Sequence, residues 1–350
     1  MELKDILGTC TFTFKQRVAD LIKFGNKGRL LITKENTSLV VDSKVTEYAS
    51  KLFTIEDKDL ETKIKQALKY SPTKIILFEY KGALVNHIEE IDKLKFDWII
   101  SLNSSEQETI ADYADERELF GCVYNIKADS KWVVSVNNPS AVLANGVTIN
   151  NSSTITGLDL LPIIGGMLSG CPYTNSVTSY VLDELESVTL PETITNGQLT
   201  LYNEEEGVRV ASPVNTLITL VDKDTEDMKS ITIMEGIRRF KTDQKLAFRT
   251  GYKGKKNKYD NQQLFISANK GYIKELEEND ILDPEYDNTV TINTDRMREL
   301  WISSGKSEEE INSLSDLDVA KRTYKKLMTL KANVKFLDAI EECEIEVEMY

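Results

Sequence analysis

Residues 74–101 read KIILFEYKGALVNHIEEIDKLKFDWIIS, and this stretch decides the fold class. Lys74–Phe78 (KIILF) is a short apolar run of β-formers, the pattern of a buried strand. Leu84–Leu94 switches to helical spacing, and Phe96–Ser101 (FDWIIS) is again a strand. Upstream, Asp59–Tyr70 has a helical period, while Arg29–Thr33 (RLLIT) and Leu39–Asp42 (LVVD) read as strands around a polar turn. Downstream, Ser104 is expected to cap a helix running to Phe120, with Gln107 completing a capping box. Cys122–Lys127 and Lys131–Val136 read as further strands. Strands alternating with helices predict an α/β layer with crossover helices.

Such a sheet can host a nucleotide, but neither GxxxxGK[ST] nor GxGxxG follows any of these strands. Gly305-Lys306-Ser307 is the nearest fragment, and Leu300 stands where its first glycine belongs. The 43 basic residues against 57 acidic ones leave a net charge of −14, which argues against direct binding of a phosphate backbone. His87 is the lone histidine, read as a surface helix residue, so no Ser–His or Cys–His pair is expected elsewhere. Cys10, Cys122, Cys171 and Cys343 are far apart and without a CxxC pair, which predicts free thiols rather than a zinc site. No metal and no cofactor are expected. The first residues contain acids and no apolar core, unlike a signal peptide. The longest apolar stretch, Gly157–Gly170, is too short to span a bilayer.

That stretch continues as LDLLPIIGGMLSGCPYTNSVTSYVLDEL over 158–185. It contains GxxSG around Ser169 rather than GxSxG, so a nucleophile elbow is not expected. A closely packed helix is, with glycines admitting another backbone. Gln198–Val210 (QLTLYNEEEGVRV) is the clearest hairpin. Ser230–Met234 reads as a strand leading into a helix from about Gly236 to Phe248. Lys258–Leu276 is an amphipathic helix, and Asp295–Ser303 and Leu317–Leu327 also read as helical. Arg249–Lys258 (RTGYKGKKNK) holds five positive charges and no negative one.

Both ends alternate. Thr9–Lys15 places Cys10, Phe12 and Phe14 on one face. Leu330–Phe336 alternates with Lys331 and Lys335 on its polar face. Glu342–Tyr350 (ECEIEVEMY) places Cys343, Ile345, Val347 and Met349 opposite four glutamates. Burying Ile345, Val347 and Met349 is worth roughly 1.5–3 kcal/mol each. Two readings remain open on the pattern alone. The terminal strands complete the chain's own sheet, or they add to the sheet of another copy, as in β-strand addition. The second kind of contact propagates into rings or helical filaments.

From Ile163 to Leu282 an ordered series of segments resembles a known family. The series runs GGMLSGCP at 165–172, NSVT at 175–178, the hairpin, and Val214-Asn215-Thr216-Leu217. It continues with Lys229–Met234 and its helix, Gly254-Lys255 with Asn257, and NQQLFISANKGYIKEL at 261–276. It resembles the tail sheath protein of contractile bacteriophage tails and tail-like bacteriocins of Gram-positive hosts. Two positions depart from the family pattern: Pro213 stands where a glycine is usual, and Glu235 stands where an aspartate opens the following helix.

The resemblance implies a structural subunit and no catalysis. Such subunits form hexameric rings stacked into a helical sleeve around a tail tube, and the sleeve contracts on a baseplate signal. It implies an N-terminal arm over 1–20, an α/β domain over 21–225, a C-terminal assembly domain over 226–337 and a C-terminal arm over 338–350. Phe12, Phe14, Cys343, Ile345, Val347 and Met349 are then the arm residues that complete a neighbour's sheet. Lys253, Lys255, Lys256 and Lys258 are candidates for contact with the tube or an acidic neighbour. The implied partners are further copies of the chain, a tube protein, and baseplate and tail terminator proteins, with no direct nucleic acid and no membrane insertion. The implied location is a virion tail or tail-like particle assembled in the host cytoplasm. The alternative from composition is a cytosolic α/β enzyme using paired carboxylates.

Overall fold

A computed structural model describes residues 28–50, 52–341, 343–347 and 349. Cys10, Phe12 and Phe14 lie outside the described residues. The chain divides into two compact units. The larger comprises Gly25–Lys241, Asn279–Asp283 and Phe336–Tyr350, and the smaller includes Thr242–Glu278 and Pro284–Lys335.

The larger unit is the α/β layer. It runs β1 (Arg29–Glu35), β2 (Ser43–Tyr48), α1 (Lys58–Ala67), β3 (Lys74–Tyr80), α2 (Ile88–Ile91), β4 (Trp98–Ser101), α3 (Gln107–Arg117), β5 (Phe120–Tyr124) and β6 (Val133–Val136). These strands form one six-stranded sheet in the order β2-β3-β1-β4-β5-β6. Pairing is parallel from β3 through β6, and β2 joins the edge antiparallel to β3. The central strands are buried on both faces, so alternate residues enter two different cores. Leu30, Ile32, Ile75 and Leu77 belong to one cluster; Leu31, Ile76 and Phe78 belong to the other.

Next come β7 (Ser140–Leu143), β8 (Thr154–Thr156), α4 (Leu161–Gly170), β9 (Leu185–Val188), β10 (Leu201–Glu204) and β11 (Gly207–Val210). A three-stranded sheet has the order β8-β7-β9, and β10–β11 is the expected hairpin. Helix α4 is buried along nearly its whole length and packs on α1, β1 and β4. Its glycines admit backbone. A Cβ on Gly166 would lie 2.4 Å from the Ala67 carbonyl oxygen, and one on Gly170 would lie 2.0 Å from that of Tyr70.

Helix α5 (Ile231–Ala247) crosses the boundary between the units. Its first turns are tied down within the larger unit. Glu235 accepts a bond from the buried Trp98 indole at 2.9 Å. Arg238 lies 3.8 Å from Asp97, which also receives a two-pronged contact from Arg29 at 3.0 and 2.9 Å. The smaller unit holds α6 (Tyr259–Glu278), β12 (Thr289–Ile292), α7 (Thr294–Ser303), α8 (Glu308–Asn312), α9 (Asp316–Lys321) and β13 (Leu330–Asn333). Asn293, Ser307 and Ser315 cap α7, α8 and α9 with their side-chain oxygens. Strand β13 pairs antiparallel with β12.

Several local expectations are corrected. Leu39–Asp42 is a loop, because the Asn36 side chain accepts from Ser38 N and its carbonyl accepts from Leu39 N, holding a turn. The strand begins at Ser43. Ser104 makes no capping bond, and Gln107 instead donates to Ser101 and Asn103 carbonyls and accepts from Tyr124 N. The side chain of Gln107 thus binds a helix start to the neighbouring strand, and Phe120 falls in β5. Residues Ile231–Met234 are helical: Ile231 and Met234 both reach the core, a three-residue spacing that outweighs the alternation. Helix α9 ends at Lys321 rather than Leu327. His87 is buried against Phe78 and Tyr80, with Nε2 3.0 Å from the Lys81 carbonyl oxygen.

Candidate assembly surfaces

The C-terminal segment starts as a strap on the larger unit. Phe336 bridges to Leu282 and packs edge-on to Phe240, with ring centroids 6.4 Å apart. It fills the space that a side chain at Gly236 would need, since a Cβ there would lie 2.8 Å from the ring. Leu337 N donates to Ile281 O at 3.0 Å, Ser230 donates to Asp338 at 2.9 Å, and Thr178 donates to Glu341 at 3.0 Å. From Val334 onward the described residues hold no helix or strand, only the isolated bridge at Phe336. Ile345 is 76 % exposed, Val347 74 % and Met349 92 %, and the Cys343 thiol is also exposed. Cys122 and Cys171 are buried, Cys171 with its Sγ 3.3 Å from the Asn175 carbonyl oxygen, and burial raises the Cys122 thiol well above its ordinary value.

The basic segment lies in the smaller unit, after α5. Phe248 and Tyr252 pack on Phe265 of α6, with centroids 6.1 and 4.6 Å away. They form the apolar side of a cavity of about 630 Å³, whose rim carries Lys253, Lys255, Lys256, Lys325 and Lys326, with Met328 beside them. Its described lining contains no acid. The Lys255 ammonium sits 4.5 Å above the Tyr252 ring. Lys258 stands apart and pairs with Asp260 at 2.8 Å. Asn257 joins the two halves of the rim by donating to the carbonyls of Lys325 and Leu327, each at 3.1 Å. Sequence reading missed Lys325 and Lys326, which are remote in the chain and carry no pattern of their own. The one pointer was Asn257, singled out in the Gly254-Lys255 segment.

Ser169 is fully buried, and its hydroxyl donates to the Gly166 carbonyl. Among the described residues, no group of three or more His, Cys, Asp or Glu is placed to hold a metal. No helix among them is long and apolar enough to cross a membrane.

The chain shares its fold with solved sheath proteins of contractile tails and related particles. No protein-family model matches the chain. In sequence it is similar to the tail sheath protein of Clostridium phage phiCD119, 24% identical over 299 residues that cover 79% of each chain. In structure it is similar to the anti-feeding prophage helical sheath in the contracted state, with a TM-score of 0.67 at 13% identity, covering 98% of this chain and 99% of that one. The sheath tail protein of Desulfitobacterium hafniense gives a TM-score of 0.63 at 14% identity, covering 82% of this chain and 94% of that one. The phage relative is named a tail sheath protein, and two of the structural neighbours are sheaths in the contracted state.

Proposed function

We propose that this chain is the sheath subunit of a contractile tail or tail-like particle. It polymerises into stacked hexameric rings that form a helical sleeve around a tube, and the sleeve contracts without nucleotide hydrolysis. Baseplate and terminator proteins bound its ends, and assembly takes place in the host cytoplasm. The observation that carries the reading is the C-terminal segment. Three apolar residues on one face of an alternating run stay in water after the chain's own described strands are paired. Leaving Ile345, Val347 and Met349 exposed forgoes roughly 1.5–3 kcal/mol each, a gain available on assembly. In this reading the segment adds to the sheet of a neighbour's smaller unit, and Phe12 and Phe14 do the same from the other end. Lys253, Lys255 and Lys256 face the tube or an acidic neighbour, and Lys258 lies at the margin of that surface. The larger unit and the smaller unit take the roles of sheath domain and assembly domain.

The test is electron microscopy of the purified protein, alone and with a tube protein. Hollow sleeves or stacked rings are expected from the full chain. A chain lacking residues 342–350 should keep its helical circular dichroism and its cooperative unfolding while forming no sleeves. A truncated chain that assembles as well as the full one would overturn the role of the segment.

A further inference from the structure

The loop between β1 and β2 is an apolar knob held on a rigid turn. Val40 is 98 % exposed and Val41 54 %, yet the turn at Asn36 and the bond from Lys81 N to Asp42 O at 3.0 Å fix the backbone on both sides. Asp42 is the one charged residue of residues 36–42. Ordered, exposed aliphatic residues of this kind mark a contact surface.

The same unit carries an apolar hole. Ile194, Val214, Leu217 and Ile218 line a cavity of about 320 Å³, with Gln198 at its wall and Lys229 as its one charged lining residue. Ile194 and Ile218 at the mouth are 67 % and 50 % exposed. Gln198 is 8 % exposed; its Oε1 accepts from Thr195 and Asn137, and its Nε2 is buried without a hydrogen-bond partner. A buried donor without an acceptor is costly. A carbonyl arriving with an inserted loop supplies one.

Knob and hole cannot meet within one chain. The knob leads into β2, at one edge of the six-stranded sheet. The hole is built on the other edge, where Leu199 N and Thr216 N donate to the Ser135 and Val133 carbonyls of β6, each at 2.8 Å. Six strands at their usual spacing put the two edges about 24 Å apart. We propose that Val40 and Val41 of one copy seat in the cavity beside Gln198 of the next copy, with Asp42 toward Lys229. Each copy then presents one free knob and one free hole, so the contact is head-to-tail and propagates as a ring or helix. It rests on the reading that copies of this chain assemble, and it uses the larger unit rather than the terminal segments.

The test is a cross-link in the full chain carrying C343S. Val40→Cys and Ile218→Cys are introduced singly and together, and concentrated protein and sleeves are both exposed to a mild thiol oxidant. The double variant should run as a ladder of covalent oligomers on a denaturing gel, and each single variant as monomer. Sleeves without a ladder overturn the contact and leave the sheath reading standing. A ladder without sleeves supports the contact and counts against the sheath reading. Monomer under both conditions overturns the contact. In the otherwise native chain, Val40→Asp should raise the concentration needed for assembly at least about tenfold, and circular dichroism should not change, since the residue touches solvent only. An unchanged assembly threshold overturns the contact as well.

Discussion

Replacing Gly166 by alanine tests the close backbone approach of α4 to α1. The new methyl would lie 2.4 Å from Ala67 O and 2.6 Å from Ala67 Cα, both main-chain atoms of α1. Relief to an ordinary contact requires α1 and α4 to part by about 1 Å, and overpacking of this kind costs about 1–3 kcal/mol. Alanine returns about 0.8–1.0 kcal/mol of helix propensity. The net loss is therefore about 2 kcal/mol at the upper end of the overpacking range. With a urea slope of about 3 kcal/mol per molar, the midpoint falls by about 0.7 M. Gly165→Ala is the internal control. Its methyl would meet only the side-chain ends of Ile100 and Leu30, both at 3.1 Å, which rotate away at little cost. Unfolding is followed by the fluorescence of Trp98 and Trp132, both in the larger unit, with Trp301 reporting on the smaller one. A Gly166→Ala midpoint equal to that of the native chain, or a larger loss for Gly165→Ala, would refute the reasoning.

Other perturbations carry signs that follow from single features. Gly271 lies in α6 with nothing within 4 Å of an added Cβ, so Gly271→Ala should stabilise the smaller unit by about 0.5–1 kcal/mol in urea unfolding. Glu61 is held down to a pKa of about 2 by Lys65 at 2.5 Å, by Ile55 N and by Lys58 at 2.9 Å. Its folded value lies below its ordinary 4.5, so its contribution is complete above that value and is lost as pH falls through about 2. The gap in urea midpoint between the native chain and Glu61→Gln should narrow from pH 6 toward pH 2.5; a constant gap would count against it. Changing Lys253, Lys255, Lys256 and Lys258 together to Glu should reduce co-sedimentation with tube protein at low salt and leave thermal unfolding nearly unchanged. Equal co-sedimentation would remove the basic rim from the contact.

The parallel sheet was legible because its strands have mostly apolar cores and alternate with segments of helical period, as KIILF and FDWIIS do on either side of Leu84–Leu94. The hairpin at β10–β11 was legible because a turn with glycine interrupts two alternating runs. The glycines of α4 announced a close approach, and the structure supplied its partners, Ala67 and Tyr70. Alternation misled where a segment was short. SITIM fits a strand and a helical turn almost equally, and the core position of both Ile231 and Met234 settles the matter. His87 looked solvated among glutamates, yet it is buried against aromatic residues contributed by β3.

What the sequence determined by itself is local: which segments alternate, which are apolar throughout, where charge is concentrated, and that the last residues carry an apolar face. Those properties depend on neighbours a few positions apart, which covalent geometry places predictably. Tertiary structure alone decided which distant residues share a surface. It joined Lys325 and Lys326 to Lys253, Lys255 and Lys256 through the bonds of Asn257, and it set Val40 and Gln198 at opposite edges of one sheet. Contacts between remote segments depend on how strands are ordered in the sheet, and that order has no local signature in the chain.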